Sequence, residues 1–327
     1  MEQQLLESEG IIRSLRLAFE NPINLTHSLQ RIRGMLSQLP SEKLYIFHDH
    51  GYISFYEQTD FNRRYLRRDS DRLYLLARKR YLRELLHTLD ALRKHGYDSP
   101  KWNDHFEKLA RLIRDYAAGN LDVARIVLTA KQYAWFTGHY RQKPFPIDDD
   151  SDPLLIHPDI PVRSKSEQKI GNTLWDFGVP HHYEEQLRIN VQRLVDELAS
   201  DLTEAGQLNG NLFYLQHGSC YWNVPKNLQF INASGSIWHT YDYRTGCITI
   251  FPDFTIMLVD GSLLYWEHEG LFVKFSYRVN AMERIGVMRL TDSIGFEKLI
   301  ETTERESNNQ DVLERIIAER ILPSLWF

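Results

Sequence analysis

Residues 251–270 read Phe-Pro-Asp-Phe-Thr-Ile-Met-Leu-Val-Asp-Gly-Ser-Leu-Leu-Tyr-Trp-Glu-His-Glu-Gly and decide the fold of the second half of the chain. Two β-rich runs flank Asp260-Gly261, which is a strong signal for a β-hairpin. Asp253 and Glu267 lie fourteen residues apart across this turn. We therefore expect these two acids on neighbouring strands, within reach of each other.

The surroundings of Asp253 and Glu267 favour a metal site. Both acids are flanked by Trp, Tyr and Phe residues in the sequence. Two carboxylates in such surroundings are costly to desolvate unless they bind a cation, and Mg²⁺ prefers oxygen ligands of this kind. Two exposed acids at strand ends would give the same pattern, so spacing and residue type leave both interpretations open.

The rest of the second half alternates between helix and strand patterns. Ser164 and Glu167 have the spacing of a capping box, which opens a helix that Gly178 ends. A helix, mixed strands and a closing helix together predict an α/β domain. The predicted elements are a helix over 164–177, a strand over 181–189, a helix over 191–202, hairpins over 237–251 and 254–268, a strand over 299–302 and a helix over 311–321.

The chain divides almost in half. Residues 1–142 predict a mainly helical domain, with a small β-hairpin near 43–57. Residues 143–162 are rich in Pro and Asp, which disfavours helix and central strand and predicts a linker. The second domain then covers 163–327. Its insertion near 190–247 contains aromatic residues that either stack unpaired bases or form a small core of their own.

Basic residues concentrate in one part of the first half. The formal net charge of the chain is −5, but residues 61–115 contain fifteen Lys and Arg against eight Asp and Glu. Such an asymmetry is typical of nucleic-acid binding, because phosphate contacts dominate affinity. The alternative is a solvated helix face with charge pairs. The basic helix of interest contains Arg78, Lys79, Arg80 and Arg83.

Several classes of protein are disfavoured by the sequence. It has no run of eighteen apolar residues, and its start lacks a signal peptide, so we expect neither a membrane span nor secretion. Cys220 and Cys247 do not form a CxxC pair, which fits a reducing cytoplasm. No Gly-rich phosphate loop, nucleophile elbow or HExxH motif is present, which disfavours ATPases, α/β-hydrolases and zinc proteases.

The Pro252-Asp253 pair, followed by a strand and then Glu267, resembles the arrangement of the PD-(D/E)XK nuclease superfamily. The whole chain is similar to a group of uncharacterised bacterial proteins with a helical N-terminal half and such a nuclease-like C-terminal domain. The matching segments are 65–66, 75–77, 81, 143–146, 162–167, 178–180, 183–184, 252–255, 266–268, 270 and 299–302.

The resemblance implies a restriction-endonuclease-like mixed sheet flanked by helices. Asp253 and Glu267 would hold Mg²⁺ or Mn²⁺, with the backbone carbonyl of His268 as a further ligand. Glu167 matches the helical acid of the family, which completes the metal shell or positions water. Its role in the capping box is an equally good interpretation.

Two neighbouring residues also have alternative roles. Glu184 matches the acid of a Tyr-Glu pair on the first strand of the family, or it serves as a structural partner for Arg163. The side chain of His268 points away from Glu267 if both lie on one strand. We therefore expect a buried, hydrogen-bonded imidazole there rather than a catalytic one.

The sequence departs from the superfamily pattern at one important position. The usual Lys, two residues after the second acid, is replaced by Glu269. The bacterial group often carries a cation on the following helix instead, and the corresponding position here is Arg284. An Arg can hold a phosphate through two hydrogen bonds, but its high pKa makes it a poor base.

The expected function is Mg²⁺-dependent cleavage of nucleic acid, DNA rather than RNA, with the basic helix holding the strand. The alternative is a degenerate nuclease fold that binds nucleic acid or a protein without cleavage, which Glu269 favours. The N-terminal helices could also bind a protein partner or form a homo-oligomer.

Overall fold

The first half of the chain is mainly helical. The computed structural model describes residues 6–20, 25–59, 62–144, 154–156, 159–190, 213–217, 220–224, 229–231, 237–242, 244–270, 285–289, 291 and 294–326. The elements of the first half are α1 (Ser8–Glu20), α2 (Leu25–Ser37), β1 (Lys43–Asp49), β2 (Tyr52–Gln58), β3 (Arg63–Tyr65), α3 (Asp71–His95), α4 (Pro100–Ala118), α5 (Val123–Val127) and α6 (Ala130–Phe136).

The hairpin predicted near 43–57 is confirmed. Strands β1 and β2 pair antiparallel, and β3 adds a third strand at the edge. The turn residues His50 and Gly51 have φ angles of 44° and 87°. Two positive φ angles are what a tight two-residue turn needs to match the twist of its strands, and Gly51 supplies one without a steric cost.

The second half is built around a four-stranded mixed sheet. Its elements are α7 (Lys165–Asp176), β6 (His181–Tyr183), β13 (Phe254–Met257), β14 (Leu263–Glu269) and β15 (Leu299–Thr303). The strand order is β15-β14-β13-β6, in which β13 runs antiparallel to both neighbours and β14 runs parallel to β15. Helix α7 precedes the sheet in the chain, and residues 285–289 are helical between β14 and β15. Helices and mixed strands together confirm an α/β domain.

Further strands form a two-stranded sheet and a six-stranded sheet. Strands β4 (Leu154–Ile156) and β5 (Ile160–Val162) pair within the segment predicted as a linker, where Pro161 is tolerated because the ladder has only two strands. The strands of the second sheet, in the order β7-β12-β11-β10-β9-β8, are β7 (Leu187–Asn190), β8 (Phe213–His217), β9 (Cys220–Val224), β10 (Gln229–Ile231), β11 (Ile237–Asp242) and β12 (Cys247–Ile250).

The structure corrects one predicted strand. Residues 181–189 do not form a single strand, because the chain turns at Glu184, whose φ is 45°. Strand β6 therefore joins the four-stranded sheet and β7 the six-stranded one. The hairpins over 237–251 and 254–268 are confirmed by β11–β12 and β13–β14. The helix predicted over 191–202 lies outside the described residues.

The C-terminus closes the structure with helix, as predicted. After β15 follow α8 (Glu304–Ser307), α9 (Gln310–Ile316), a π-helical turn (Ile317–Ile321) and α10 (Leu322–Trp326). Of the helices within the described ranges, none combines the length and the apolar character that crossing a bilayer requires.

The two halves share a buried core. One hydrophobic cluster contains side chains of α1, α3 and α4 together with those of α7, β13, β14 and the last helices. Gln132 of α6 donates from Nε2 to the carbonyls of Met257 (3.1 Å) and Leu325 (3.2 Å). The indole Nε1 of Trp326 donates to Ser14 Oγ at 2.9 Å. The predicted boundary at 143–162 stays a prediction, and these contacts cross it.

Burial of His181 predicts a loss of stability in acid. Its imidazole Nδ1 lies 2.9 Å from the carbonyl oxygen of Val179, and burial lowers the pKa of His181 to about 4. The unfolded chain binds this proton near pH 6.5. The contribution of the neutral His181 imidazole to the free energy of unfolding, on the order of 3 kcal/mol, is therefore complete above pH 6.5 and is lost as the pH falls towards 4. We expect the free energy of unfolding, measured with urea between pH 7 and 4.5, to fall less steeply with pH in His181→Phe than in the unmodified chain. An equal fall in both proteins would show that His181 is not the cause.

A second prediction concerns the contact between α1 and the end of α7. A Cβ added to Gly10 would lie 2.8 Å from the carbonyl oxygen of Asp176 and 2.9 Å from the amide nitrogen of Gly178. Because both neighbours are backbone atoms, we expect Gly10→Ala to lower the free energy of unfolding by about 1–3 kcal/mol. Gly34 in α2 has no atom within 4 Å of such a Cβ, so Gly34→Ala is the matched control and should stabilise by roughly 0.5–1 kcal/mol.

Candidate active site

The β13–β14 hairpin brings Asp253 and Glu267 to one end of two buried strands. Phe254 pairs with Trp266, so the register places Asp253 opposite Glu267 one step further on. The backbone amide of His268 donates to Asp253 Oδ2 at 2.6 Å. The exposed fractions are 7% for Asp253 and 0% for Glu267, which excludes a pair of exposed strand-end acids.

Helix α7 brings Glu167 to the same region through its first turn. The amide of Glu167 donates to Ser164 Oγ (3.1 Å), and the amide of Ser164 donates to Glu167 Oε2 (2.9 Å), which confirms the capping box. The same carboxylate oxygen accepts from the Arg163 amide and from the Tyr183 hydroxyl, each at 2.9 Å. Glu167 therefore has a structural role, and its proposed part in a metal site stays a prediction.

The charges of neighbouring acids affect the pKa values of two groups in this region, Glu167 and Tyr183. Burial, followed by the charge of Asp253, raises the pKa of the Glu167 carboxyl, and Glu184 adds to this effect. Burial also raises the pKa of Tyr183, together with the charges of Glu167, Glu184 and Asp253. Such an accumulation of buried negative charge is unfavourable unless a cation or a proton offsets it.

The negative charge of Glu184 is offset by two basic side chains, those of Arg163 and Lys143. Arg163 donates from Nε to both carboxylate oxygens of Glu184, at 2.9 and 2.8 Å, which confirms the predicted partnership. Its Nη2 also donates to the carbonyl of Pro144 at 2.9 Å, and Lys143 Nζ lies 3.5 Å from Glu184 Oε1. Glu184 thus fixes residues 143–144 beside the site.

His268 lies on the opposite side of β14, as predicted. Its side chain is buried, with Nδ1 3.3 Å from Thr302 Oγ1 and Nε2 3.4 Å from Glu304 Oε2. Ser166 donates to the same Glu304 oxygen (2.9 Å), and the Trp266 indole donates to Thr302 Oγ1 (2.8 Å). Burial lowers the pKa of His268, and Glu304 opposes that effect. This hydrogen-bond network connects the start of α7 to β14. No local sequence pattern predicts it.

The cation expected beside the acids, Arg284, lies outside the described residues, so its role stays a prediction. Glu269 ends β14 on the same side of the strand as Glu267. Arg289 donates from Nε to Glu301 Oε1 at 2.8 Å and from Nη2 to Glu301 Oε2, and Glu301 pairs with Glu267 in the register of β14 and β15. This ion pair was not predicted from the sequence.

Three of the four residues of the predicted basic helix donate to backbone carbonyls. Arg78 donates to Leu128, Arg80 to Leu44, and Lys79 to Pro40, Ser41 and Glu42. Burial lowers the pKa of Arg78. Arg83 is half-buried. These contacts give Arg78, Lys79 and Arg80 structural roles, so their part in nucleic-acid binding stays a prediction without a surface to support it.

Within the described ranges, no group of three or more His, Cys, Asp and Glu side chains is arranged to hold a metal ion. The oxygen atoms available on the hairpin are those of the Asp253 and Glu267 carboxylates and of nearby backbone carbonyls. This set suits Mg²⁺, which is commonly bound through one or two carboxylates and keeps several waters. It does not suit Zn²⁺, whose sites need three or four protein ligands.

The dual role of Glu167 gives a test. We expect Glu167→Ala to lower the free energy of unfolding by about 1–2 kcal/mol, because two backbone amides and the Tyr183 hydroxyl lose their acceptor. Glu167→Gln keeps an acceptor oxygen at the same position and should stay within about 0.5 kcal/mol of the unmodified chain. Urea unfolding of the two variants measures both values, and equal losses would show that charge rather than capping matters for stability.

The comparisons with known proteins leave the family of this chain open. No family model, no curated protein and no solved structure matches the chain. The similarity to the PD-(D/E)XK superfamily therefore rests on the sequence segments quoted above.

Proposed function

We propose that the protein is a Mg²⁺-dependent nuclease, with Asp253 and Glu267 as the residues that hold the metal. The observation that carries this proposal is the position of the two acids. They lie opposite each other at one end of a buried hairpin, in a mixed sheet that follows a helix with a third acid, Glu167. The superfamily resemblance leads one to expect a helical acid before the sheet, a Pro-Asp pair before one strand and a Glu on the next.

The donor set is the reason for choosing Mg²⁺. Asp253 and Glu267 are hard oxygen ligands, and the carbonyl of His268 follows directly on the strand. Because Asp253 Oδ2 accepts the His268 amide, the carboxylate is held in a fixed orientation before any ligand arrives. A preorganised pair of this kind would leave the remaining coordination positions to water and to substrate phosphate.

Each residue would then have a defined task. Asp253 and Glu267 would hold the metal, which would supply a bound water of lowered pKa and positive charge at the phosphate. Glu167, in the first turn of α7, would complete the metal shell or position water. Arg284 would contact a phosphate, a task for which the planar guanidinium is well suited.

Glu269 favours a second function, binding of nucleic acid without cleavage. An acid at this position adds negative charge where the superfamily has a Lys that stabilises the attacking water and the phosphate. A fold that lacks this cation can keep its shape and its binding surface and still lose activity. DNA rather than RNA is the proposed partner in both cases.

Cleavage assays distinguish the two functions. Single-stranded and duplex DNA and RNA are incubated with the full chain in Mg²⁺ or Mn²⁺ and in EDTA. We expect cleavage with either metal, no cleavage in EDTA, and a loss of at least about a hundredfold in Asp253→Asn and in Glu267→Gln, because each removes a charged ligand worth several kcal/mol.

The matched control is Asp260→Asn, at the turn of the same hairpin, where Asp260 Oδ1 accepts the Ser262 amide at 2.8 Å. This variant changes an acid on the hairpin but not in the site, and it should cleave like the unmodified chain. Metal-dependent cleavage that survives Asp253→Asn would refute the proposed site. Binding of nucleic acid without cleavage under any condition would favour the second function.

A further inference from the structure

The three-stranded sheet of the first half has two chemically different sides. Side chains alternate along each strand, so the register defines one set of ten positions on the side away from the helices. We call this set the outer aromatic face. Its residues are Lys43, Tyr45, Phe47, Asp49, Tyr52, Ser54, Tyr56, Gln58, Arg63 and Tyr65.

The inner side accounts for the stability of this sheet. Leu44, Ile46, Ile53 and Phe55 point inward and belong to the main hydrophobic cluster. Phe55 packs so closely on Gly119, at the end of α4, that a Cβ there would lie 2.4 Å from its ring. Because the aliphatic residues of β1 and β2 are all on this side, packing against the helices explains the inner residues but not the choice of the outer ones.

The outer aromatic face presents rings to solvent. The exposed fractions are 75% for Tyr52, 56% for Tyr65 and 42% for Phe47. Tyr45, Tyr56 and Tyr65 form a row across the three strands, in which the Tyr56 and Tyr65 rings meet edge to face at 5.8 Å. None of the ten positions on these three described strands carries an aliphatic side chain.

Cations accompany these rings. The guanidinium of Arg63 lies 4.0 Å from the centre of the Tyr45 ring. Lys43, Gln58 and Arg63 form the row next to the tyrosines across the three strands. Arg67 and Arg68 follow β3 and are exposed. The basic residues therefore flank one end and one edge of the aromatic surface.

Most of the nearby acids are held in ion pairs. Glu57 is buried on the inner side and accepts from Arg64 (2.6 Å) and from Arg72. Asp69 pairs with Arg67 at 2.9 Å, with 70% and 79% of the two side chains exposed. Such exposed pairs contribute little energy, so a phosphate group can replace the carboxylate of Asp69 at Arg67.

We propose that the outer aromatic face binds single-stranded nucleic acid, with bases stacked on the tyrosine row and phosphates at the flanking arginines. Every base has a flat π-face that stacks on aromatic side chains, and guanidinium groups neutralise phosphates. A duplex keeps its bases paired and stacked inside, so this surface selects unpaired strands. The inference rests on the proposed function for the kind of partner and adds the strandedness and the surface that holds it.

Fluorescence anisotropy of a labelled oligothymidylate, measured in EDTA to prevent cleavage, tests the inference on the full chain. We expect Tyr45→Ala/Tyr65→Ala to raise Kd about a hundredfold, roughly tenfold for each ring. Tyr45→Phe/Tyr65→Phe keeps both rings and should bind like the unmodified chain. Leu75→Ala, which removes another exposed apolar side chain on α3, is the matched control and should leave Kd unchanged.

Thermal unfolding verifies that the variants fold, since the changed rings are at the surface. If the unmodified chain binds a labelled duplex as tightly as the single strand, the inference is wrong. It is also wrong if Tyr45→Ala/Tyr65→Ala leaves Kd unchanged, which is the result expected if the face binds a protein instead. Cleavage by the unmodified chain in Mg²⁺ together with an unchanged Kd in the alanine pair leaves the nuclease standing and removes this surface. Binding that depends on the two rings, without cleavage in Mg²⁺, supports this surface and contradicts the nuclease.

Discussion

Strand β13 is the constraint on which the second half of the molecule depends. All four of its residues are buried, and it pairs antiparallel with β6 on one side and β14 on the other. The carbonyl of Met257 at its end accepts Gln132 from α6, and the carbonyl of Asp253 just before its start accepts the amide of Glu184 at 3.0 Å. A buried strand satisfies its backbone only through such partners, so its position fixes the neighbouring strands, the first helical domain and the two acids together.

Negative charge is the second feature that organises this region. Asp253, Glu267 and Glu184 are buried and Glu167 is half-buried, and Glu167, Asp253 and Glu184 each accept hydrogen bonds from a different set of donors. Backbone and hydroxyl donors serve Glu167, the His268 amide serves Asp253, and Arg163 serves the adjacent Glu184. Carboxylates held so firmly cannot move apart to reduce their repulsion, which makes the binding of a cation more favourable than it would be between flexible acids.

Local signals account for what the sequence could predict. The Asp-Gly turn fixed the β13–β14 hairpin, and the Ser164–Glu167 spacing announced the capping box, because both depend on residues close in the chain. The break at Glu184 was missed, since a non-glycine residue with a positive φ has no reliable sequence pattern. The contact of Ser166 with Glu304 joins residues 138 positions apart. The sequence predicted that Arg78, Lys79 and Arg80 of α3 contact nucleic acid or solvent, but in the folded chain all three donate to backbone carbonyls.

The shared core has a consequence for how the two halves respond to a ligand. Because side chains of α1, α3 and α4 and those of β13, β14 and α10 belong to one hydrophobic cluster, neither half can unfold without exposing apolar surface of the other. Unfolding should therefore be a single cooperative transition across the predicted boundary. A nucleic-acid strand bound to the outer aromatic face would then stabilise the whole native state by mass action. The hairpin that carries Asp253 and Glu267 would become more resistant to unfolding, although the ligand does not contact it.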